Sequence, residues 1–161
     1  MKTITYQPIG VLHTPFKRQK DAPAQGCFSR ESRGQVELFA EYTEGLKDIT
    51  GFSNLILIYH FHQAEGYELI MKPLLDKDKR GIFATRFFKR PNSIGLSIVQ
   101  LIGVHDNLLD VGWVDMLDGT PLLDIKPYVS LFDARENVCD GWIRNASELT
   151  KPLISNAKIN K

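Results

Sequence analysis

Short runs of apolar residues that alternate with polar ones, separated by turn-forming residues, constrain the fold of this 161-residue chain most strongly. A period of two places every second side chain on one face of a β-strand, and Gly, Pro, Asn and Asp between such runs mark turns. Only residues 39–49, with apolar positions spaced by three and four, have helical periodicity. No GxGxxG motif follows a strand, so a doubly wound nucleotide-binding fold is not indicated. The pattern predicts a mainly β fold, a barrel or a sandwich, with strands at residues 4–13, 34–38, 54–62, 81–86, 94–104, 108–114 and 122–125.

Some details of this pattern make finer predictions. The Leu- and Ile-rich run of residues 54–62 is typical of a strand buried on both faces. The alternation in residues 94–104 loses its phase, which predicts a β-bulge near Val99, and residues 105–107 form the tight turn of a hairpin. Residues 16–33 are polar, basic and marked by Pro23 and Gly26, which predicts a long functional loop, a lid or a ligand arm.

Length, charge and hydropathy limit the classes of function. The chain is long enough for about one domain with one core. The net charge of +1 gives no bulk attraction to nucleic acid, although small basic clusters recur along the chain. The longest apolar run, residues 55–61, is far shorter than the roughly 20 residues that span a bilayer, and the N-terminus lacks the features of a secretory signal. We therefore expect a cytoplasmic protein, with Cys27 and Cys139 as free thiols.

Two histidines provide one candidate site. His60 and His62 stand two residues apart on a predicted strand, so their imidazoles share a face and could ligate one metal ion, as in a cupin-like metalloenzyme. The alternative is that one or both imidazoles are hydrogen-bonded at a strand end. No further His or Cys occurs at recognisable ligand spacing. The residues alone leave both interpretations open.

Two further segments concentrate chemically useful residues. Residues 90–97, RPNSIGLS, combine a rigid proline corner and a glycine that permits close backbone approach, with Arg86 and Arg90 nearby. Residues 115–128, DMLDGTPLLDIKPY, place three acids, a lysine and a tyrosine around a tight turn. Turns and surface ion pairs of this kind also occur without a functional role. Their concentration within residues 85–128 favours a working site there.

These segments, in this order, resemble the TsaA-like family. The resemblance runs from Ile9 to Tyr128 and includes residues 9–16 (IGVLHTPF), 23–25 (PxQ), 60–66 (HFHQAEG) and 83–86 (FATR). The family is associated with TrmO-type methyltransferases, which methylate N6 of threonylcarbamoyladenosine in the tRNA anticodon loop. The resemblance implies a single-sheeted β-barrel with one or two short helices over residues 1–144, S-adenosylmethionine as methyl donor, tRNA as substrate and a homodimer. Residues 145–161 are then a polar tail or a short helix.

The resemblance also implies which residues hold the cofactor. Two positions depart from the usual family pattern, since Ser93 replaces a proline and Ala24 stands where a basic residue is frequent. Neither change removes a donor that the chemistry requires. The cofactor contacts carried over to this chain are Pro23, Ala24, Gln25, His62, Gln63, Arg86, Leu96, Asp115, Met116, Leu117 and Asp118.

The remaining roles follow from the chemistry that the resemblance implies. The N6 nitrogen is a weak nucleophile because its lone pair is delocalised, so sharing or removing its proton would help methyl transfer. Asp124 or Tyr128 is the candidate for that proton transfer. Lys89, Arg90 and Lys126, together with Arg86, are candidates for pairing with the threonyl carboxylate. A protein that binds S-adenosylmethionine or RNA without catalysis is the remaining alternative.

Overall fold

A closed barrel of six antiparallel strands forms the centre of the computed structural model, which describes residues 2–74 and 76–144. The strands, in chain order, are β1 (Gly10–His13), β2 (Arg33–Leu38), β3 (Asn54–His60), β4 (Ile70–Met71), β5 (Arg80–Gly81), β6 (Ile94–His105), β7 (Leu108–Gly112) and β8 (Thr120–Pro127). The barrel order is β1-β2-β7-β6-β3-β8, and β4 pairs with β5 in a separate two-stranded sheet. Because β1 pairs with both β2 and β8, the barrel closes and leaves no open sheet edge.

Alternating side chains fill the interior of the barrel. On β3, Leu55, Leu57 and Tyr59 point inward and are at most 4% exposed, whereas the residues between them lie on the outer surface. On the paired strand β6, Ser97 and Val99 lie opposite Leu57 and Leu55 and are also buried. The interior is therefore aliphatic along most of its length, and the hydroxyls of Tyr59 and Ser97 make it polar towards one end.

The connections between strands carry short helical turns. Such turns satisfy local backbone groups with few residues, so they leave the sheet as the main support of the fold. An α-helix of four residues, α1 (Ser130–Asp133), follows β8. The 3-10 helices are Gln19–Asp21 and Gly26–Phe28 between β1 and β2, Ala40–Leu46 and Ile49–Gly51 between β2 and β3, and Ile82–Ala84 after β5.

The predicted mainly β barrel with short helices is confirmed, while some local predictions were wrong. The expected strand at residues 4–13 is confined to Gly10–His13. Of the expected strand at residues 81–86, only Gly81 is in a strand, β5, and the 3-10 helix Ile82–Ala84 follows it directly. Strand β3 is buried on one face only, because its other face is the outside of a single-sheeted barrel. The helical periodicity of residues 39–49 produces 3-10 helices.

The bulge of β6 lies further along the strand than its sequence predicts. Strands β3 and β6 pair without interruption through Val99. The register against β7 shifts between Leu101 and Gly103, so Ile102 is the extra residue. The hairpin turn that follows is confirmed, with Asp106 in the left-handed region at φ 54°. The phase slip in the sequence thus marked a real bulge but not its position.

Three sequence predictions concern parts of the chain beyond the barrel. Residues 145–161, predicted as a polar tail or a short helix, lie outside the described residues, as do Met1 and Leu75. Cys27 and Cys139 are free thiols, as predicted. Within residues 2–74 and 76–144, no helix is both long and apolar enough to cross a bilayer.

Candidate functional site

One end of the barrel gathers the loops that carry the candidate residues. Because neighbouring strands are antiparallel, β1, β3 and β7 end at the same side at which β2, β6 and β8 begin. This end therefore receives the connections formed by residues 14–32, 61–93 and 113–119. The residues implied to hold a cofactor lie on these connections, except Leu96, which lies near the start of β6. We call these residues the barrel-end cluster.

Asp115 joins two of these connections to the barrel wall. The backbone N–H of Gly26 donates to Asp115 Oδ2 at 2.8 Å, and Ser97 Oγ donates to Asp115 Oδ1 at 2.6 Å. The hydroxyl of Tyr59 lies 3.0 Å from Ser97 Oγ. Burial raises the pKa of the Tyr59 phenol, so this hydroxyl keeps its proton. Because Ser97 donates its only hydroxyl proton to Asp115, Tyr59 is the donor towards Ser97. The three side chains form one directed chain of hydrogen bonds that ends at the carboxylate.

Two opposing sets of interactions act on the pKa of the Asp115 carboxylate. Burial raises its pKa, whereas the hydrogen bonds from Ser97 and Gly26 and the positive charge of Arg86 act in the other direction. The hydrogen bonds to both oxygens therefore offset part of the desolvation cost of a partly buried charge. Such a group is fixed in orientation, since turning it would leave a donor unpaired.

Residue Trp113 brings the chain into this arrangement at the cost of backbone strain. Its φ of 64° lies in the left-handed region, which is rare for a bulky residue and is found at functional sites. The Trp113 N–H donates to the Ser32 carbonyl at 3.0 Å, which holds the bend. A Cβ on Gly26 would lie 1.9 Å from the Trp113 carbonyl oxygen. Only glycine therefore fits where the two connections meet.

Polar and apolar side chains surround this contact. Arg86 Nη1 donates to Gln25 Oε1 at 3.0 Å, and both side chains reach the surface. Leu96, the neighbour of Ser97, is 46% exposed. The cluster thus presents a guanidinium bonded to a side-chain amide, and it includes an exposed aliphatic side chain on the outer face of β6.

His62 lies at the same end, but as a hydrogen-bonded side chain. Its Nδ1 is 3.2 Å from Thr120 Oγ1, and its Nε2 is 3.4 Å from Gln63 Nε2. Burial, and then the nearby His60, lower the pKa of the His62 imidazole, so it is neutral at pH 7. Across the described part of the chain, no three His, Cys, Asp or Glu side chains are grouped so that they could hold a metal ion.

The turn from Met116 to Asp118 is fastened to the end of β1. Thr14 Oγ1 donates to the Met116 carbonyl at 2.9 Å, and the Thr14 N–H donates to Asp118 Oδ1 at 3.0 Å. The ion pair with Lys17, followed by the bond from Thr14, lowers the pKa of Asp118. The Met116 side chain is 3% exposed and packs in the core, and Leu117 is partly buried. Met116 therefore offers a ligand chiefly its backbone.

Asp124, a candidate for proton transfer, and Lys126, a candidate for binding the substrate carboxylate, lie on the outside of the barrel. Asp124 pairs with Ile58 and Lys126 with Ile56, and both of these β3 residues face outward. Lys126 Nζ is 2.7 Å from Asp124 Oδ2, and the two side chains are 58% and 43% exposed. The ion pair is therefore well hydrated and adjoins the barrel-end cluster without entering it.

Tyr128 lies towards the opposite end of the barrel. Its N–H donates to the carbonyl of Asn54, the first residue of β3, at 3.0 Å. The cluster lies beyond His60, the last residue of that strand, which is about 20 Å away at the rise of an extended chain. A single chain therefore keeps Tyr128 apart from the cofactor candidates.

Two further substrate candidates already have partners. Lys89 Nζ is 3.0 Å from Glu68 Oε1. Arg90 Nη1 lies 2.9 Å from the Thr85 carbonyl and 3.3 Å from two other carbonyls of the same segment. Arg90 thus folds residues 82–90 around its guanidinium, whereas the Lys89 side chain is held by an exposed ion pair.

An open groove of about 550 Å³ lies elsewhere, along β1, β2 and β7. Its lining includes His13, Gln35 and Asp110, and Gln35 Nε2 donates to Asp110 Oδ1 at 2.8 Å. Of the cofactor candidates, Asp118 alone lines it. The groove is therefore separate from the contact between Gly26 and Asp115.

Sequence reasoning missed the residues that hold the cluster together. They are Tyr59, Ser97, Thr120 and Thr14, all of which are buried. The last three are hydrogen-bonded to cluster residues, and Tyr59 is hydrogen-bonded to Ser97. Inward-facing polar residues at the ends of predicted strands were the available signal, since buried hydroxyls need partners.

Comparison with known proteins gives a consistent assignment. The family described as tRNA-methyltransferase O N-terminal domain matches residues 11–134. A probable S-adenosyl-L-methionine-binding protein of Pyrococcus abyssi is 52% identical over 149 residues, which cover 92% of this chain and 81% of that protein. The tRNA (adenine(37)-N6)-methyltransferase of Escherichia coli is 30% identical over 171 residues, covering all of this chain and 73% of its own length.

A solved structure shares both the barrel and the sequence. The crystal structure of TrmO from Pseudomonas aeruginosa superposes with a TM-score of 0.75 at 36% identity. The match covers 87% of this chain and 62% of that one, so this chain spans less than two thirds of the solved protein. The motifs, the matched family and the shared barrel agree, and the chain belongs to the tRNA-methyltransferase O family.

Proposed function

We propose that this protein transfers the methyl group of S-adenosylmethionine to N6 of threonylcarbamoyladenosine in the tRNA anticodon loop. Family membership supports the reaction class, since relatives carry the names S-adenosyl-L-methionine-binding protein and tRNA (adenine(37)-N6)-methyltransferase. The observation that carries the proposal is the convergence of three segments through the hydrogen bonds of Gly26 with Asp115 and of Arg86 with Gln25. This convergence joins segments that are far apart in sequence.

The exposed groups of the cluster fit the chemistry of the methyl donor. S-adenosylmethionine has a carboxylate, an ammonium, a sulfonium and an adenosine, and it supplies a methyl group that is activated towards nucleophiles. Arg86 would pair with the carboxylate, and Leu96 would cover an apolar face of the adenosine. Gln25, His62 and Gln63 would bind polar edges, together with the backbone of residues 116–118. Pro23 and Ala24 shape the loop beside them.

Orientation accounts for most of the rate acceleration in this proposal. The methyl donor is already electrophilic, so the protein has to hold the N6 nitrogen in line with the methyl group. Asp124, on the outer face of β8, accepts the proton of that nitrogen, and Lys126 beside it pairs with the threonyl carboxylate. Lys89 is the second candidate for that carboxylate, since its exposed partner Glu68 can be displaced.

Recognition of tRNA in this proposal depends on basic side chains around the same end. Lys17, Arg30 and Arg33 are exposed on the connection between β1 and β2 or at the start of β2. They would contact phosphates, so binding weakens steeply with salt. An anticodon-loop base is partly unstacked before binding, which lowers the cost of presenting it. A tRNA substrate also favours a cytoplasmic location.

A second copy of the chain is the partner proposed for the outer face of β3 and β6. Ile94, Leu96 and Ile98 are 41%, 46% and 40% exposed and stand beside Ile56 and Ile58 of β3. Contiguous exposed apolar patches of this kind mark protein interfaces. Because Leu96 also belongs to the cluster, a homodimer formed here would place each cofactor site beside the interface. The exposed face of β8 would then adjoin the second copy.

Mass spectrometry of tRNA nucleosides tests the proposed function. Nucleosides from cells with and without the gene are compared, and a methylated threonylcarbamoyladenosine should be present only with the gene. Complementation with the wild-type gene is the control. An unchanged nucleoside profile, together with calorimetric binding of S-adenosylmethionine, would leave a non-catalytic binding protein instead. A stoichiometric transition metal in the purified protein would favour a metalloenzyme.

A further inference from the structure

Few hydrogen bonds join the loop of residues 23–28 to the rest of the molecule, although its Gly26 packs closely against the Trp113 carbonyl. Its backbone bonds from Phe28 to Gln25 and from Ser29 to Gly26 are local. Within the described residues, two hydrogen bonds join it to other segments: Gly26 N–H to Asp115, and Arg86 to Gln25. The second joins two surface side chains and competes with water, so the first controls where the loop lies.

Both oxygens of Asp115 are already used inside the protein. Oδ2 accepts the Gly26 N–H at 2.8 Å, and Oδ1 accepts the Ser97 hydroxyl at 2.6 Å. Tyr59 holds Ser97 from the barrel interior at 3.0 Å, and its ring lies against Gly95, where a Cβ would be 2.2 Å from the ring edge. The orientation of the carboxylate is therefore set by the core of the barrel.

We propose that Asp115 is a positioning residue, which holds the loop of Pro23, Ala24 and Gln25 in its ligand-binding position through Gly26 and is itself oriented by Ser97 and Tyr59. This assignment rests on the proposed site for S-adenosylmethionine. It adds one role to the family-derived expectation: Asp115 acts through the loop, because its oxygens accept hydrogen bonds from Gly26 and Ser97. Ser97 and Tyr59, which that expectation omits, belong to the same chain of hydrogen bonds.

Hydrogen exchange of the cofactor-free protein tests the anchoring directly. Asp115→Asn replaces one carboxylate oxygen by an NH2 group, which donates hydrogen bonds and does not accept them. The side chain can then no longer accept from both Gly26 and Ser97. The amides of residues 26–28 should then exchange about tenfold faster, as expected for the loss of a hydrogen bond to a charged group, while the β3 amides keep their protection. Asp110→Asn is the matched control, because Asp110 accepts a hydrogen bond on β7 outside the cluster and should leave the loop unchanged.

Steady-state kinetics then separates positioning from catalysis. Asp115→Asn should raise the KM for S-adenosylmethionine about tenfold and leave kcat at saturation within about twofold. Ser97→Ala should cause a smaller rise in KM, and should add little to the effect of Asp115→Asn in the double variant. If Asp115→Asn does not fold, the same two measurements, hydrogen exchange of residues 26–28 and the KM for S-adenosylmethionine, are made on Ser97→Ala and Tyr59→Phe.

Two results would overturn the positioning role. One is unchanged exchange of residues 26–28 in a folded Asp115→Asn or Ser97→Ala variant, and the other is an unchanged KM with a reduced kcat. Failure of the proposed function looks different. In that case the wild-type protein would not bind S-adenosylmethionine, yet the exchange difference between Asp115→Asn and Asp110→Asn would remain.

Discussion

The barrel-end cluster and the outer face of β8 each contain an aspartate, in opposite surroundings. Asp115 is partly buried, both of its oxygens accept hydrogen bonds from within the chain, and burial raises its pKa. Asp124 is 43% exposed and its partner is the hydrated Lys126. The hydrogen bonds of the first region all come from one chain, whereas the second lies beside exposed apolar residues. Under the proposed function, the first would be a preorganised cofactor site and the second a substrate side completed by what binds to the outer face.

Asp124→Asn gives the largest expected effect on activity. Removal of a group that takes a proton in the transition state should lower kcat by roughly 100-fold or more, with the KM for S-adenosylmethionine nearly unchanged. Asp115→Asn should show the reverse pattern. Single-turnover methylation of tRNA measures the first effect and equilibrium binding the second. Normal turnover in Asp124→Asn would contradict the assignment of proton transfer to this residue.

Ile98→Asp tests whether the outer face of β3 and β6 is the proposed dimer interface. Ile98 is 40% exposed, so the barrel should fold, but a charge buried in a dimer interface is costly. The dissociation constant of the homodimer should rise roughly 100-fold, corresponding to about 2.7 kcal/mol. Analytical ultracentrifugation measures the change. Leu74→Asp, which replaces an apolar residue that is 86% exposed outside this face, is the control and should remain dimeric. Equal dimerisation of both variants would place the interface elsewhere.

Gly95→Ala and Gly103→Ala compare the inside of β6 near the cluster with a site further along the strand. A Cβ at Gly95 would lie 2.2 Å from the Tyr59 ring, and overpacking of this kind costs about 1–3 kcal/mol. At Gly103 the nearest atom is 3.5 Å away, so the free energy of unfolding should change by less than about 0.5 kcal/mol. Urea denaturation measures both. Equal stability of the two variants would mean that Tyr59 is not fixed as described.

The two aspartates of the cluster should affect the pH dependence of stability with opposite sign. The pKa of Asp118 is lowered by Lys17 and Thr14, so its contribution is present above the ordinary value of 3.8 and is lost as the pH falls through the folded pKa. The pKa of Asp115 is raised, so its ionisation reduces stability as the pH rises from 3.8 through the folded pKa.

Urea denaturation between pH 3 and 7 separates these contributions. The stability advantage of the wild type over Asp118→Asn should grow with pH, by less than about 1 kcal/mol because the ion pair is exposed. The advantage over Asp115→Asn should shrink with pH. Parallel curves for the wild type and both variants would contradict the two shifts.

The sequence predicted the strands of the barrel better than the hydrogen bonds inside the barrel. Short apolar runs and period-two patterns located β2, β3, β6 and the hairpin, because local apolar patterning directly reflects burial in a sheet. The placement of Ile102 as the bulge depends on pairing with β7, which no local pattern contains. The position of Tyr128 at the far end likewise follows from the direction of β8 in the closed sheet.

The partners of Asp115 show the same limit within the site. Ser97 and Asp115 are 18 residues apart in the chain, and they meet because β6 extends beyond the end of β7 to the connection that contains Asp115. Gly26 was noted as a loop glycine, but its role depends on the Trp113 carbonyl, which only the folded chain brings close. Local chemistry therefore identified the segments, and tertiary pairing determines what each side chain does.

Methyl transfer to purified tRNA by the purified protein tests the central claim most directly. Labelled S-adenosylmethionine is supplied with tRNA that carries threonylcarbamoyladenosine and, in parallel, with the same tRNA from cells that cannot form this nucleoside. The account predicts label in a nucleoside heavier by one methyl group in the first tRNA only. Equal labelling of both tRNAs, or no labelling of either, would contradict it.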